Sequence, residues 1–141
     1  MPLPTVDSCL VVDLPKITDP RGNLSFVEGG NHIPFEIAHA FFIYDVPTAE
    51  ERGAHAHKSL QQFVVCLSGG LDVELNDGTA TRVVSLDRPW RGLYVPPFIW
   101  AREINFDPGT VYFILASQKY SADDYLRDFE DFRRYRAGAP A

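Results

Sequence analysis

The sequence predicts an all-β protein, a β-sandwich or small barrel, followed by a short C-terminal α-helix. Short apolar runs recur along most of the 141 residues, and 11 prolines and 10 glycines separate them, which favours strands joined by turns. A run with helical spacing appears only near the end. The length and the 45% hydrophobic content suit one core, so residues 1–141 are assigned to a single domain.

The strand predictions start from the run with the clearest alternation. Leu71, Val73 and Leu75 alternate with polar residues, which is typical of a half-buried antiparallel strand. Asn76-Asp77-Gly78 then predicts a hairpin turn into the next run, and residues 19–22, "DPRG", predict another turn. The ranges predicted as strands are 9–14, 23–29, 39–46, 61–70, 71–78, 79–86, 92–97 and 110–117.

The helix is predicted over about residues 121–135. Ser121 precedes Asp124 by three residues, as in a capping box. Tyr125, Phe129 and Phe132 follow at i, i+4 and i+7, and arginines gather towards the end, where they suit the helix dipole. The spacing predicts an amphipathic helix that packs on the barrel or on a partner subunit, with a frayed tail after it.

Charge and apolar content exclude several classes of protein. The net charge of −6 and the pI of about 5.1 argue against a general nucleic-acid or membrane-surface binder, although local arginines could still hold an anion. Cys9 and Cys66 lie in apolar runs and are expected to be buried thiols. There is no basic segment followed by a long apolar run, so we expect a cytoplasmic protein without a membrane span.

Two of the four histidines lie close together in the stretch "RGAHAHKS". If residues 54–58 are extended, His55 and His57 project from one face of a strand, with Cα atoms about 6.5–7 Å apart. They directly precede the most apolar run of the chain, which favours an interior position over an exposed one. An imidazole in the interior needs a polar or metal partner. The pair is therefore a candidate metal site or a candidate acid–base pair.

The order of these features resembles a cupin, a double-stranded β-helix or jelly-roll barrel. The resemblance rests on Gly-x-His-x-His, then an apolar run ending in Gly-Gly, then a strand ending in Pro-Pro. Metal-binding cupins carry a glutamate where this chain has Gln62 and a third histidine where it has Ala101. Two imidazoles without an anionic ligand would hold a transition metal weakly. The resemblance therefore favours proton transfer, with no metal and no cofactor.

Residues 20–135 are similar to the dTDP-4-keto-6-deoxyhexose 3,4-ketoisomerases, the WxcM-like, metal-free cupins. Residues 52–58, "RGAHAHK", and 124–132, "DYLRDFEDF", carry this resemblance. It implies a homodimer that moves a ketone from C4 to C3 of a dTDP-linked 6-deoxyhexose, whose product is typically aminated to a 3-amino sugar. Residues 39–42, "HAFF", depart from the Arg-x-Tyr-Tyr of many relatives, which indicates either altered ligand contacts or repacking.

A ketone shift needs a base, a second proton carrier and donors for a developing oxyanion. We expect His55 to be the base, His57 its orienting partner or the second carrier, and Tyr44 the second acid or oxyanion donor, although the sequence does not rank the two histidines. Substrate contacts are expected from Arg21, Asn23, Arg52, Gln62, Trp100 and Arg102.

Other functions stay open at this point. A 3,5-epimerase of the same metal-free type would also enolise the sugar, and a non-catalytic module would bind the nucleotide sugar without exchanging carbon-bound hydrogen. A metal-dependent cupin oxygenase is disfavoured by Gln62 and Ala101. Neither the stereochemistry at C4 of the product nor the nucleotide follows from the residues themselves.

Overall fold

The computed structural model describes residues 2–47 and 49–139, which form two five-stranded antiparallel sheets, a separate hairpin and one α-helix. The strand order is β1-β9-β6-β11-β4 in the first sheet and β12-β5-β10-β7-β8 in the second. The strands are β1 Leu10–Asp13, β2 Lys16–Asp19, β3 Gly22–Ser25, β4 His39–Ile43, β5 Arg52–His57, β6 Gln62–Ser68, β7 Leu71–Asn76, β8 Thr81–Leu86, β9 Arg91–Val95, β10 Trp100–Ile104, β11 Val111–Ala116 and β12 Tyr125–Leu126. The predicted all-β class with a short C-terminal helix is confirmed.

The β7–β8 hairpin agrees closely with its prediction. Burial alternates along β7, and Asn76 pairs with Thr81 at the start of the turn. Asp77 is buried in this turn and accepts hydrogen bonds from the backbone N–H groups of Thr79 and Ala80. It also accepts one from Val6 N–H at 2.9 Å, which ties the N-terminal turn to the hairpin.

Strand β6 in the first sheet is buried on both faces from Phe63 to Cys66, which explains why residues 61–70 do not alternate in polarity. Val64 and Cys66 of β6 face the core shared with the second sheet. Phe63 and Val65 face outward into a second cluster, where the segment before β4 covers them with Phe35. A strand with apolar neighbours on both sides is selected for continuous hydrophobicity rather than for period two.

The C-terminal helix is shorter and begins later than predicted. Helix α1 spans Phe129–Gly138, and its N-cap Asp128 accepts a hydrogen bond from Asp131 N–H. Residues 122–124 form a 3-10 turn instead, and the Ser121 side chain caps nothing. The chain stays extended here because Tyr125 and Leu126 pair with β5.

Helix α1 packs on its own barrel, which was one of the two packings predicted for it. Phe132 is fully buried, with its ring centroid 5.9 Å from that of Trp100. Residues 137 and 138 are helical, so the prediction of a frayed tail is wrong for these two residues. Residues 140 and 141 lie outside the described residues. Within 2–47 and 49–139, no helix is long and apolar enough to cross a membrane.

Three strands were not predicted, and β5 was considered only on the condition that residues 54–58 are extended. The three are β2, which forms the hairpin with β3, and β10 and β12, which flank β5 in the second sheet. Strand β3 also ends at Ser25 rather than at 29. Strands β10 and β12 matter for function, because both border the strand that carries the histidine pair.

Candidate active site

A cavity of about 210 Å³ lies inside the barrel, between the two sheets. Strand β5 contributes Arg52, His55 and His57 to its wall, and β6 contributes Gln62. The described structure therefore gathers four of the predicted site residues around one space. Apolar side chains of the first sheet, among them Ile114, form much of the opposite wall.

A β-bulge in β5 explains why Arg52 and His55 both reach this cavity, although they are three residues apart. Across the β5–β10 ladder His55 pairs with Ala101 and Arg52 with Glu103, so β5 carries one extra residue. Gly53 and Ala54 accommodate it with φ angles of 87° and 40°. Bulges of this kind are frequent beside active sites, where they redirect side chains.

The two imidazoles are in contact with each other and with a tyrosine. The ring centroids of His55 and His57 are 5.0 Å apart, with the planes nearly perpendicular. The Tyr125 ring lies 4.9 Å from His55 and 4.4 Å from His57. On its other side His55 faces the small Ala101, which leaves room for a ligand in front of it.

His57 is held against a buried carboxylate. Its Nδ1 is 3.5 Å from Asp124 Oδ2, and neither ring nitrogen has a hydrogen-bond partner among the described residues. Asp124 accepts hydrogen bonds from the backbone N–H groups of Ser59, at 3.0 Å, and Leu60, at 3.1 Å. The loop after β5 and the segment before β12 are thereby joined beside the imidazole.

Both histidines are neutral at neutral pH. Burial, with the neighbouring His55 as a further cause, lowers the pKa of His57 to about 4. Burial also lowers the pKa of His55. A neutral imidazole is the form that can accept a proton, so the pair suits general-base catalysis.

Two arginines give the cavity a positive charge, although the chain as a whole is acidic. Arg52 and Arg127 both line the cavity, and neither is in an ion pair within the described part of the chain. The Arg127 guanidinium lies 4.3 Å from the centre of the Tyr125 ring, which orients it. Unpaired guanidinium groups are suitable ligands for phosphate oxygens.

Trp100 and Arg102, predicted as substrate contacts, lie outside the cavity. Side chains alternate along β10, and the interior positions are those of Ala101 and Glu103. The Trp100 ring packs instead on helix α1. Arg102 forms ion pairs with Glu74 and a second carboxylate on the outer face of the sheet.

Three other predicted residues also lie away from the cavity of this chain. Tyr44 follows the end of β4 and is 59% exposed, so its phenol does not reach the histidines. Arg21 is exposed on the β2–β3 hairpin and pairs with Asp19. Asn23 accepts a hydrogen bond within the same hairpin.

Four residues at or beside the site were not predicted from the sequence: Glu103, Asp124, Tyr125 and Arg127. Along 100–104 the small size of Ala101 favours an interior position for Ala101 and Glu103, but the polarity of glutamate favours the opposite orientation. Tyr125 and Arg127 belong to the C-terminal run that carries the family resemblance, but the helical spacing concealed their extended conformation.

The fold and the site together define a cupin-like barrel whose cavity is lined by two histidines in contact with each other and by two arginines. In the part of the chain that is described, no three or more His, Cys, Asp or Glu side chains are grouped to hold a metal ion. The chain belongs to the FdtA family, described as "WxcM-like, C-terminal", whose family model matches residues 7–137.

Relatives and solved structures agree with this assignment. The chain is 41% identical over 127 residues to the TDP-4-oxo-6-deoxy-alpha-D-glucose-3,4-oxoisomerase of Aneurinibacillus thermoaerophilus, covering 90% of this chain and 91% of that one. The WlaRB TDP-quinovose 3,4-ketoisomerase of Campylobacter jejuni is 38% identical, with a TM-score of 0.88 and coverages of 92% and 99%. QdtA of Thermoanaerobacterium thermosaccharolyticum, a sugar 3,4-ketoisomerase in complex with TDP, is 30% identical, with a TM-score of 0.91 and coverages of 94% and 96%.

Proposed function

We propose that this protein is a sugar 3,4-ketoisomerase that acts on TDP-4-keto-6-deoxyglucose without a metal or other cofactor. The single observation that carries the proposal is the neutral pair His55 and His57, which lines the same cavity as the unpaired Arg52 and Arg127. The 41% identical oxoisomerase supports the choice of sugar and nucleotide.

His55 is the base in this proposal. The 4-ketone acidifies the C3–H bond, and an enediol or enediolate then spans C3 and C4 before a proton arrives at C4. His55 is partly exposed and faces the small Ala101 across the ladder, whereas His57 is buried. His57, steadied by Asp124, positions the His55 ring through their edge contact.

The cavity would enclose the sugar and leave the nucleotide at its rim. Its volume of about 210 Å³ is below the roughly 300–1,000 Å³ of sites that enclose a drug-sized ligand. The 6-deoxy sugar carries an apolar methyl group, which suits the apolar wall formed by residues such as Ile114. Arg52 and Arg127 would then neutralise the diphosphate.

Arg127→Gln is expected to weaken TDP binding by about 10–100-fold, because one charge-assisted contact to the diphosphate is lost. Isothermal titration calorimetry with TDP measures the change in affinity. Raising the salt concentration should reduce the difference in affinity between the variant and the wild type. The matched control is Arg102→Gln, which removes an outer arginine already paired with Glu74. A loss of affinity in the control alone would place the diphosphate on the outer face and contradict this site.

The acidic limb of the pH profile of kcat/KM is expected to have its midpoint below pH 6.5. Burial lowers the pKa of both histidines, so the neutral, active form persists to lower pH than for a free imidazole. Initial rates between pH 4.5 and pH 8 at constant ionic strength would measure this limb. A midpoint at or above about 6.5 would show that a different group is the base.

NMR of EDTA-treated protein with TDP-4-keto-6-deoxyglucose in D₂O tests the proposed function. A 3-keto product would support the ketoisomerase, and deuterium at its C4 would show that the proton held by His55 exchanges with solvent before it reaches C4. Deuterium at C3 and C5, with the ketone still at C4, would identify a 3,5-epimerase. Binding of TDP without exchange at carbon would identify a non-catalytic binding module, and activity that EDTA abolishes would identify a metal-dependent enzyme.

We also propose a homodimer. Helix α1 covers its own barrel, so the outer side of the first sheet and the hairpin are the candidate interface, where Phe42, Leu67 and Leu24 are all exposed. Arg21 and Asn23 could contact a substrate only if this hairpin meets the cavity of the other subunit. Light scattering after size-exclusion chromatography tests the proposal, and a monomer at micromolar concentration would contradict it.

The cellular setting is part of the same proposal. Cys9 and Cys66 are buried free thiols, which suit a reducing compartment such as the cytoplasm. The 3-keto product would be a substrate for amination to a 3-amino sugar. Detection of the protein in an oxidising compartment would contradict its proposed location in the cytoplasm.

A further inference from the structure

Glu103 is a buried acidic residue, and the reaction proposed above assigns a role to the histidines and arginines but none to Glu103. It is 8% exposed and lies on the interior face of β10, two residues beyond Ala101. It also lines the cavity that contains His55. No hydrogen bond or ion pair to its carboxyl is found within residues 2–47 and 49–139, although the backbone of Arg52 lies opposite that of Glu103 in the β5–β10 ladder.

The bulge in β5 makes room for this carboxyl group. A Cβ atom at Gly53 would lie 2.5 Å from Glu103 Oε2, so any side chain there would displace the carboxyl. Gly53 has a φ of 87°, which favours glycine in its own right. The same bulge that turns Arg52 towards the cavity therefore also leaves space for an acid beside His55.

The environment keeps Glu103 protonated at neutral pH. Burial raises the pKa of its carboxyl to about 8, and the nearby Arg52 opposes this only in part. Of the other groups on the packed strands, Tyr112 is buried and neutral and His55 is neutral. A neutral carboxyl group has one donor and one acceptor oxygen, so it can give a proton from one oxygen and take another on the second.

We propose that Glu103 is a catalytic residue that transfers a proton between O4 and O3 of the sugar while His55 transfers a proton between C3 and C4. The inference rests on the proposed ketoisomerase activity and deepens it. It follows from the position of an unpartnered acid in the cavity, one strand across and two residues along from His55, or about 8 Å between backbone positions.

The first half of the reaction then forms a neutral enediol. His55 takes the C3 proton, the electrons of that bond form a C3=C4 double bond, and the electrons of the C4 carbonyl move to O4. Glu103 gives its proton to O4. The products of this half are an enediol, an imidazolium and a carboxylate, so charge is conserved.

The second half restores both protein groups. The Glu103 carboxylate takes the proton from O3, whose bonding electrons form the new C3 carbonyl. The electrons of the C3=C4 bond take the proton of the His55 imidazolium at C4. The net change is a ketone moved from C4 to C3, with no oxidant, reductant or additional acid required.

Glu103→Gln separates the two halves of the reaction. The amide can still donate a hydrogen bond to O4, so His55 can form the enolate and return deuterium to C3 in D₂O. It cannot take the proton from O3. We expect ketone transfer to fall by at least about 100-fold and C3 exchange by less than about tenfold, which a merely structural role would not produce.

The measurement is NMR in D₂O, in which C3 exchange and 3-keto product are followed in the same sample with TDP-4-keto-6-deoxyglucose. Glu103→Asp retains an acid and is expected to recover part of the transfer rate; it also serves if the glutamine variant does not fold. The matched control is Glu74→Gln, a carboxylate on the outer face of the neighbouring strand, for which both rates should stay within about twofold.

The outcomes separate this inference from the proposed function. A wild-type protein that produces no 3-keto sugar overturns both. A wild type that produces it, with Glu103→Gln transferring the ketone within about threefold of the wild-type rate, overturns only the role of Glu103. Equal loss of exchange and transfer in Glu103→Gln, with no recovery in Glu103→Asp, also overturns that role.

Discussion

His55→Asn is expected to reduce the rate of ketone transfer by at least about a thousandfold, while TDP still binds. Removal of a general base typically costs 10²–10⁴ in rate, and here the same group would serve at both C3 and C4. Asparagine is polar and smaller, so it leaves the cavity open. The substitution touches neither Arg52 nor Arg127, so the affinity for TDP should stay within about threefold.

This variant should also lose C3 exchange, which distinguishes it from Glu103→Gln. Without His55 no group removes the C3 proton, so both deuterium incorporation and product formation disappear from the NMR spectrum. His32→Asn is the matched control, because His32 lies outside the cavity and its ring accepts a hydrogen bond from Glu28 N–H. Activity above about a tenth of wild type in His55→Asn would contradict the assignment, and His57→Asn would then identify the base.

The histidine pair could be predicted from the sequence because its geometry is local. A single intervening residue in an extended strand places both side chains on one face, whatever the rest of the fold does. The apolar run that follows indicated that this face is interior. The structure places His55 and His57 on the cavity wall, as the spacing predicts.

The other residues around the histidine pair could not be predicted in the same way. Whether Arg52 faces the cavity depends on the bulge at Gly53 and Ala54. A bulge moves the side chains of all residues before it in the strand to the opposite face of the sheet. The glycine allows a bulge but does not require one. Glu103 is placed by pairing with a strand that is remote in sequence, which period-two patterns do not report.

Trp100 was predicted as a ring that could stack on the substrate, and Arg102, just after it in the sequence, as an arginine that could attract the diphosphate. The strand places them on the outside because Ala101 and Glu103 take the interior positions. Glutamate is rarely an interior residue, so polarity alone favours the opposite orientation. A strand in which the large aromatic residue packs outside and the acid inside is a departure expected at a functional site.

The C-terminal run shows a similar conflict between local pattern and tertiary contact. Tyr125, Phe129 and Phe132 have helical spacing, yet only the last two are in α1. The segment before them is held extended by ladder bonds to β5 and by the carboxylate of Asp124, which together outweigh its helical pattern. The extended conformation is what turns the Tyr125 ring onto the two imidazoles.

Asp124→Ala is therefore expected to lower both stability and activity. The carboxylate accepts hydrogen bonds from Ser59 N–H, Ser59 Oγ–H and Leu60 N–H, of which the last is buried, and a buried donor left without a partner costs about 1–3 kcal/mol. Because water replaces some of these hydrogen bonds, we expect the free energy of unfolding to fall by about 3 kcal/mol and Tm by about 10 °C. Thermal unfolding followed by circular dichroism measures it.

The effect of Asp124→Ala on catalysis should exceed what partial unfolding explains. Asp124 joins the loop that follows His57 to the segment that carries Tyr125, so its loss releases both sides of the imidazole. At a temperature where the variant is fully folded, kcat is expected to fall by about 10–100-fold with the affinity for TDP little changed. Asp124→Asn keeps one acceptor oxygen and should recover roughly half of the lost stability. An alanine variant that melts within about 2 °C of wild type would show that the carboxylate does not join the two segments, and the placement of Tyr125 would then rest on the short β12 ladder alone.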